Sequence, residues 1–348
     1  MKIALSCLLF AAALLAPAAQ AQSFYRLESA VTLKSKAPDW DYVTLDAGRG
    51  RLFIGRRGEG VVVYDVKTRR VIRTLSDTDD ANAVVLIPEF DRGYSTNGDG
   101  TATAFQISTL KTIERIKFGG DADSGFYDPV TQQIAFTMGD SKAIAFVDAK
   151  TGKVNGTLKM ESKKLDGTAA NGEGQLWMAL RDRNSVVKID VASRSVQAEW
   201  KTPGCDEPTG LDYDRANRRI FIGCRGKAPV LAVMDADSGA IITTQEIGRG
   251  NDGVIYDRAT RRIYTSNGVD ANLVIYEQVD ANNYKFEQAV TTRPYARTMA
   301  LDPVSKKVYL VTAEGLADPA KKINKAVAPF YPNRYFADTF TVLTYAPK

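Results

Sequence analysis

Seven residues recur at near-constant spacing and are of types that can act together: Asp41, Asn82, Asp123, Asp166, Thr209, Asp252 and Arg297, separated by 41, 41, 43, 43, 43 and 45 residues. Four carboxylates gathered in one place repel one another. A bound cation, Arg297 or proton uptake relieves that repulsion. Oxygen ligands of this kind suit Ca²⁺ or another hard divalent cation such as Mg²⁺ rather than zinc. The structural alternative is that each Asp caps the turn entering its own strand through backbone N–H groups. Arg297 breaks the pattern. It either meets a ligand carboxylate or phosphate, or pairs with Asp252 or Asp41.

A second column reads Arg56, Asn97, Met138, Leu180, Cys224, Asn267 and Thr312, with Arg57, Arg181, Arg183 and Arg225 close behind. A basic collar of Arg56, Arg57, Arg181 and Arg225 would hold an anionic polymer, single-stranded nucleic acid included, or an acidic partner. The alternative is a solvated rim of mixed charge. Stacking aromatics are sparse in these segments, which weighs against nucleic acid. The chain contains no histidine. That excludes Ser-His-Asp and Cys-His catalysis, His-containing zinc sites and His-ligated haem.

The elements that carry these columns are repeats. The clearest unit is Pro208-Thr-Gly-Leu-Asp-Tyr-Asp-Arg-Ala-Asn-Arg-Arg-Ile-Phe-Ile-Gly-Cys224, followed by Val230-Leu-Ala-Val-Met-Asp235. Aligning the copies places Asp46, Ile87, Asp128, Asn171, Asp214, Asp257 and Asp302 in one further column with the same steps. A period near this value, built of short strands, is the mark of a propeller blade. Each unit reads as four strands, A to D, punctuated by Asp, Gly, Pro and Asn turns. The expected fold is all-β: a seven-bladed β-propeller of four-stranded antiparallel blades. The last unit lacks a strand D, and Tyr25–Leu33 reads as a stray one, so the N-terminal strand should close the ring.

Phrases such as Glu207-Pro-Thr-Gly-Leu-Asp-Tyr-Asp214, Arg218-Arg-Ile-Phe-Ile-Gly-Cys-Arg225, Tyr264-Thr-Ser-Asn-Gly268 and Ala296-Arg-Thr-Met-Ala-Leu-Asp-Pro303 resemble the YncE-type, YVTN-repeat seven-bladed propellers of bacterial periplasms. The resemblance covers nearly all of the chain after residue 21. It implies the fold and the compartment and says little about function, although single-stranded DNA binding has been proposed for one member. Haem-carrying relatives need histidines and a CxxCH motif that are absent here.

Residues 1–21, MKIALSCLLFAAALLAPAAQA, read as a secretory signal peptide cleaved before Gln22. Residues 22–348 then form a single propeller domain, periplasmic, monomeric and without a membrane span. Loss of Lys2 lowers the formal charge from +5 to +4, too mild to argue for nucleic acid or membrane by itself. An oxidising compartment favours pairing Cys205 with Cys224, which the A–B hairpin of the fifth unit brings together. That bond should contribute roughly 3 kcal/mol. A long insertion, residues 315–338, interrupts the last unit and leaves on the same face as Arg297.

Three functions compete: a non-catalytic propeller binding a small polar ligand or protein partner through the channel-mouth face; a hydrolase or lactonase using a carboxylate-bound divalent metal with Asp as base; and a single-stranded nucleic-acid binder. The first is the expectation, with no catalytic residue assigned.

Overall fold

A computed structural model describes residues 24–321 and 332–348. The proposed signal peptide lies outside the described residues.

Seven four-stranded antiparallel sheets follow one another around a central channel. The fifth blade is representative: Pro208–Asp214, Arg219–Cys224, Val230–Asp235 and Ile241–Glu246 run from the channel outward. Strands B and C are buried along almost their whole length, because neighbouring blades cover both faces. Their near-continuous apolar runs reflect this, and alternation returns only in the outer strands. Aromatic pairs stack between blades, as with Trp177 on Tyr213 and Phe53 on Phe105, whose ring centroids lie 4.8 and 5.5 Å apart.

Closure uses both ends of the chain. Tyr25–Thr32 is strand D of the last blade and pairs antiparallel with Thr341–Pro347, Tyr25 opposite Pro347 and Thr32 opposite Thr341. Closure removes the seam between first and last blades, but each blade keeps a free outer edge. Charge protects those edges instead, as in Arg70-Val-Ile-Arg-Thr74 and Thr112-Ile-Glu-Arg-Ile-Lys117.

Strand A is longer than its apolar core suggested. In blades two to six it begins at Ala81, Ala122, Leu165, Pro208 and Asn251. Each of these strands is broken by a register shift two or three residues in. Asn82, Asp123, Asp166, Thr209 and Asp252 all sit within those irregular steps. A bulge releases its extra residue from the ladder and re-aims the side chain, here at the channel mouth.

Candidate functional site: the hub at the channel mouth

The Asp41 column converges as its spacing implied, but as an ion-pair network. Arg57 pairs with Asp41 and donates from Nε to Asn82 Oδ1 at 2.9 Å. Arg181 Nη1 lies 3.0 Å from Asp166 Oδ2. Arg225 pairs with Asp252. Arg297 bridges two acids, with Nε 2.8 Å from Asp252 and Nη2 3.6 Å from Asp41, and also donates to the Trp40 carbonyl at 2.7 Å. Its guanidinium lies over the Trp40 ring, 5.0 Å from the centroid. The pairing of Arg297 with Asp252 and Asp41 is therefore the alternative that the structure selects.

The two neutral members hold backbone. Asn82 donates to the Ala122 carbonyl at 2.8 Å, linking blades two and three, and Thr209 donates to the Glu207 carbonyl at 3.0 Å. Turn capping belongs to a different column. Asp46, Asp128, Asn171, Asp214, Asp257 and Asp302 accept N–H groups two or three residues on, for example Thr131 N to Asp128 at 2.9 Å and Val304 N to Asp302 at 2.9 Å. In the Asp41 column only Asp166 accepts a neighbouring N–H, from Gly167 at 3.1 Å.

The basic collar is corrected by the same geometry. Arg56 is buried beneath the rim, its guanidinium 4.1 Å from the Phe340 ring centroid and 3.1 Å from Glu59. Arg57, Arg181 and Arg225 turn inward onto aspartates, and Arg183 turns outward onto Glu199 at 2.9 Å. The other members of that column are interior residues: Asn97 and Asn267 bond to their own hairpins, and Met138 and Leu180 are core. The metal expectation meets the same arginines. Among the described residues no three Asp, Glu, Cys or His side chains are arranged to hold a metal ion.

Asp123 is the exception. Its backbone carbonyl accepts a hydrogen bond from Thr96 at 2.8 Å, but its carboxylate has no hydrogen bond or ion pair among the described residues. One position past the end of strand B, blades one, four and five carry Arg57, Arg181 and Arg225, blades two, three and six carry Gly98, Gly139 and Gly268, and blade seven carries Ala313. Asp252 of blade six is reached instead by Arg225 and Arg297 of the neighbouring blades, whereas beside Asp123 blade two has no arginine at this position and Arg181 of blade four pairs with Asp166. Burial pushes Asp123 well above the usual carboxylate range, and the negative charges of Asp41 and Asp166 add to the effect against the weaker pull of Arg57. Asp41 and Asp166 are also raised, since burial outweighs the arginines beside them.

Tyr42 was not foreseen. One position after the ring, the seven blades carry Tyr42, Ala83, Ser124, Gly167, Gly210, Gly253 and Thr298, a single large side chain among small ones. That disparity was the available signal. Burial pushes the Tyr42 phenol well above its usual range, and Asp123, Asp166, Asp41 and Asp252 each add to the shift. A cavity of about 250 Å³ begins at this level, lined by Tyr42, Ser124, Phe126, Asp252 and Met299 among others. The glycines are needed for tight packing: a Cβ on Gly167 would stand 2.2 Å from the Thr209 carbonyl oxygen.

Cys205 and Cys224 form the expected disulfide, with Cα atoms 5.3 Å apart. It anchors strand B immediately before Arg225. The described ends of the 315–338 insertion form a small two-stranded pair, Gly315–Leu316 with Arg334–Tyr335. Tyr335 packs on Trp40 with centroids 5.2 Å apart, so the insertion's base supports the ring through the indole under Arg297. Phe330 and Tyr331 lie outside the described residues.

Fold and hub together define a seven-bladed β-propeller with a charged channel mouth. Similar solved structures include a chain in "Crystal Structure of Mitotic Checkpoint Complex", at 15% identity and TM-score 0.71, covering 88% of this chain and 96% of that one. Another is in Kuenenia stuttgartiensis hydrazine synthase, at 15% identity and TM-score 0.69, covering 80% and 94%. At this identity the likeness concerns the fold alone. No protein-family model and no curated protein matches the chain.

Proposed function

We propose that the chain is an exported, periplasmic, non-catalytic binding propeller of the YncE-like kind, and that it engages a small ligand or a partner through the channel-mouth face. The observation that carries this reading is the unequal treatment of the ring: Asp41, Asp166 and Asp252 each meet an arginine, and Asp123 does not. A ring built only for charge balance would carry a further arginine where Gly139 stands. Propellers of this shape occur within larger assemblies, as the similar chain in a mitotic checkpoint complex illustrates. Fold alone assigns no partner.

The inward-turned arginines weaken the nucleic-acid reading, because their charge is already neutralised at short range. The experiment is a hydrogen-exchange footprint of the purified protein, taken separately with the low-molecular-weight and macromolecular fractions of a periplasmic extract. Protection is expected in the segments around 41, 57, 123, 139, 181 and 225. Protection confined to the opposite turns around 46, 128 and 214, or none with either fraction, overturns the proposal. Recovery of a periplasmic form beginning at Gln22 tests the export component.

A further inference from the structure

Each blade ends in a free outer strand, and in six of the seven that strand carries Lys or Arg: Arg26, Arg70, Arg115, Lys159, Lys201 and Lys285 among them. The fifth blade is the exception. Ile241-Ile-Thr-Thr-Gln-Glu246 has no positive charge, and its first five residues carry none at all. The outward N–H and C=O groups of such a strand are a template for another. All seven outer strands carry a bulge. In the fifth it falls at Ile242, and Thr243–Glu246 pair beyond it in unbroken register with Val230–Val233.

This edge borders a cleft of about 660 Å³, lined by Thr244, Glu246 and Ile247 of the fifth blade and by Val274, Tyr276 and Phe286 of the sixth. Phe286 is 54% exposed and meets the buried Tyr276 ring edge-on, with centroids 5.8 Å apart. The Tyr276 hydroxyl donates to the Glu246 carbonyl at 2.6 Å and ties the two walls together. Among the described residues no basic side chain lines the cleft. Of its two acids, Asp270 is paired with Arg249 at 2.7 Å. The Glu246 carboxylate has no ion pair or hydrogen bond among the described residues.

We infer that this edge takes up an extended segment of a partner protein as a fifth strand, with an apolar side chain against Phe286 and a basic one at Glu246. Backbone pairing supplies affinity, and the cleft selects the side chains. A second copy of the chain fits less well. Its own Ile241–Glu246 strand carries no cation, so self-pairing would leave both Glu246 carboxylates unmet. The surface lies on the outer wall and is independent of the channel-mouth reading.

The test presents the whole protein to a displayed library of random short peptides, then measures the enriched peptide by fluorescence anisotropy. Sequences alternating apolar and polar residues beside a Lys or Arg are expected. Phe286→Ala should weaken binding by about tenfold, as for a truncated anchor. Thr244→Lys, which gives this edge the positive charge of the other six, should weaken it several-fold at low ionic strength. N-methylation of alternate peptide nitrogens should abolish binding in one phase and be tolerated in the other, as edge pairing demands. Ile72→Thr, on the outer strand of the first blade, should change nothing. Four results overturn the inference: no enrichment or enrichment of acidic peptides, indifference to Phe286→Ala, indifference to N-methylation in both phases, or a dimer of the chain that Thr244→Lys dissociates.

Discussion

Two rings of acidic residues lie at opposite ends of strand A, and the same amino acid behaves differently in each. At the turn end, Asp128, Asp214, Asp257 and Asp302 accept N–H groups from the following turn. Burial alone would raise Asp302, but the Ser305 and Val304 donors outweigh it and hold the carboxyl below its usual range. At the mouth end, bulges aim the aspartates into a shared space. Their partners there are arginines, except at Asp123, whose carboxylate has none among the described residues. The difference teaches that a repeated Asp is defined by the backbone donors its local loop presents. Turns present them; the bulges facing the channel do so only at Asp166, through Gly167 N–H.

The comparison breaks most visibly at Arg297. Arg297→Met leaves Asp41 and Asp252 sharing a poorly solvated space with one fewer cation, and should cost about 3 kcal/mol in urea unfolding. An unchanged midpoint would mean that the mouth ring does not depend on its bridge. Asp214→Ala, at the turn end, removes acceptors for Ala216 N and for Gln278 Nε2 at 2.9 Å. It should cost about 2 kcal/mol, as expected for a buried donor left unmet.

The smallest effect has the sharpest sign. The Asp123 carboxyl titrates above its unfolded value, so the folded chain retains a proton that the unfolded chain sheds. Stability therefore falls as pH rises from about 4. Asp123→Asn removes that slope. The variant should match the parent below this pH and become progressively more stable above it, read as a rising difference in melting temperature. Asp302→Asn should show the reverse, a loss that appears only above about pH 4. Parallel slopes for the two variants would erase the distinction between the rings.

The blade count, the closing strand and the disulfide were legible because each rests on spacing. A constant period implies a ring, an unpaired first strand implies closure, and Cys205 and Cys224 flank one hairpin. The ring column was legible for the same reason. Its chemistry was not, because register irregularities in strand A carry no residue signature beyond scattered small side chains. The inward turn of Arg57, Arg181 and Arg225 was hidden because they were read as a rim of like charge. Alignment of the position after strand B, with Gly98 and Gly139 among those arginines, contained the vacancy beside Asp123.

The last sheet draws on segments at opposite ends of the described chain, with Tyr25 facing Pro347. On a ribosome adding roughly 5–20 residues per second, the first strand would wait on the order of 15–60 s before its mate emerged. Six blades have all their strands by then, while the seventh has none of its seam. Folding in the order of synthesis would therefore complete this sheet last. Any agent that holds the Tyr25–Thr32 segment during that interval would decide when the molecule becomes whole.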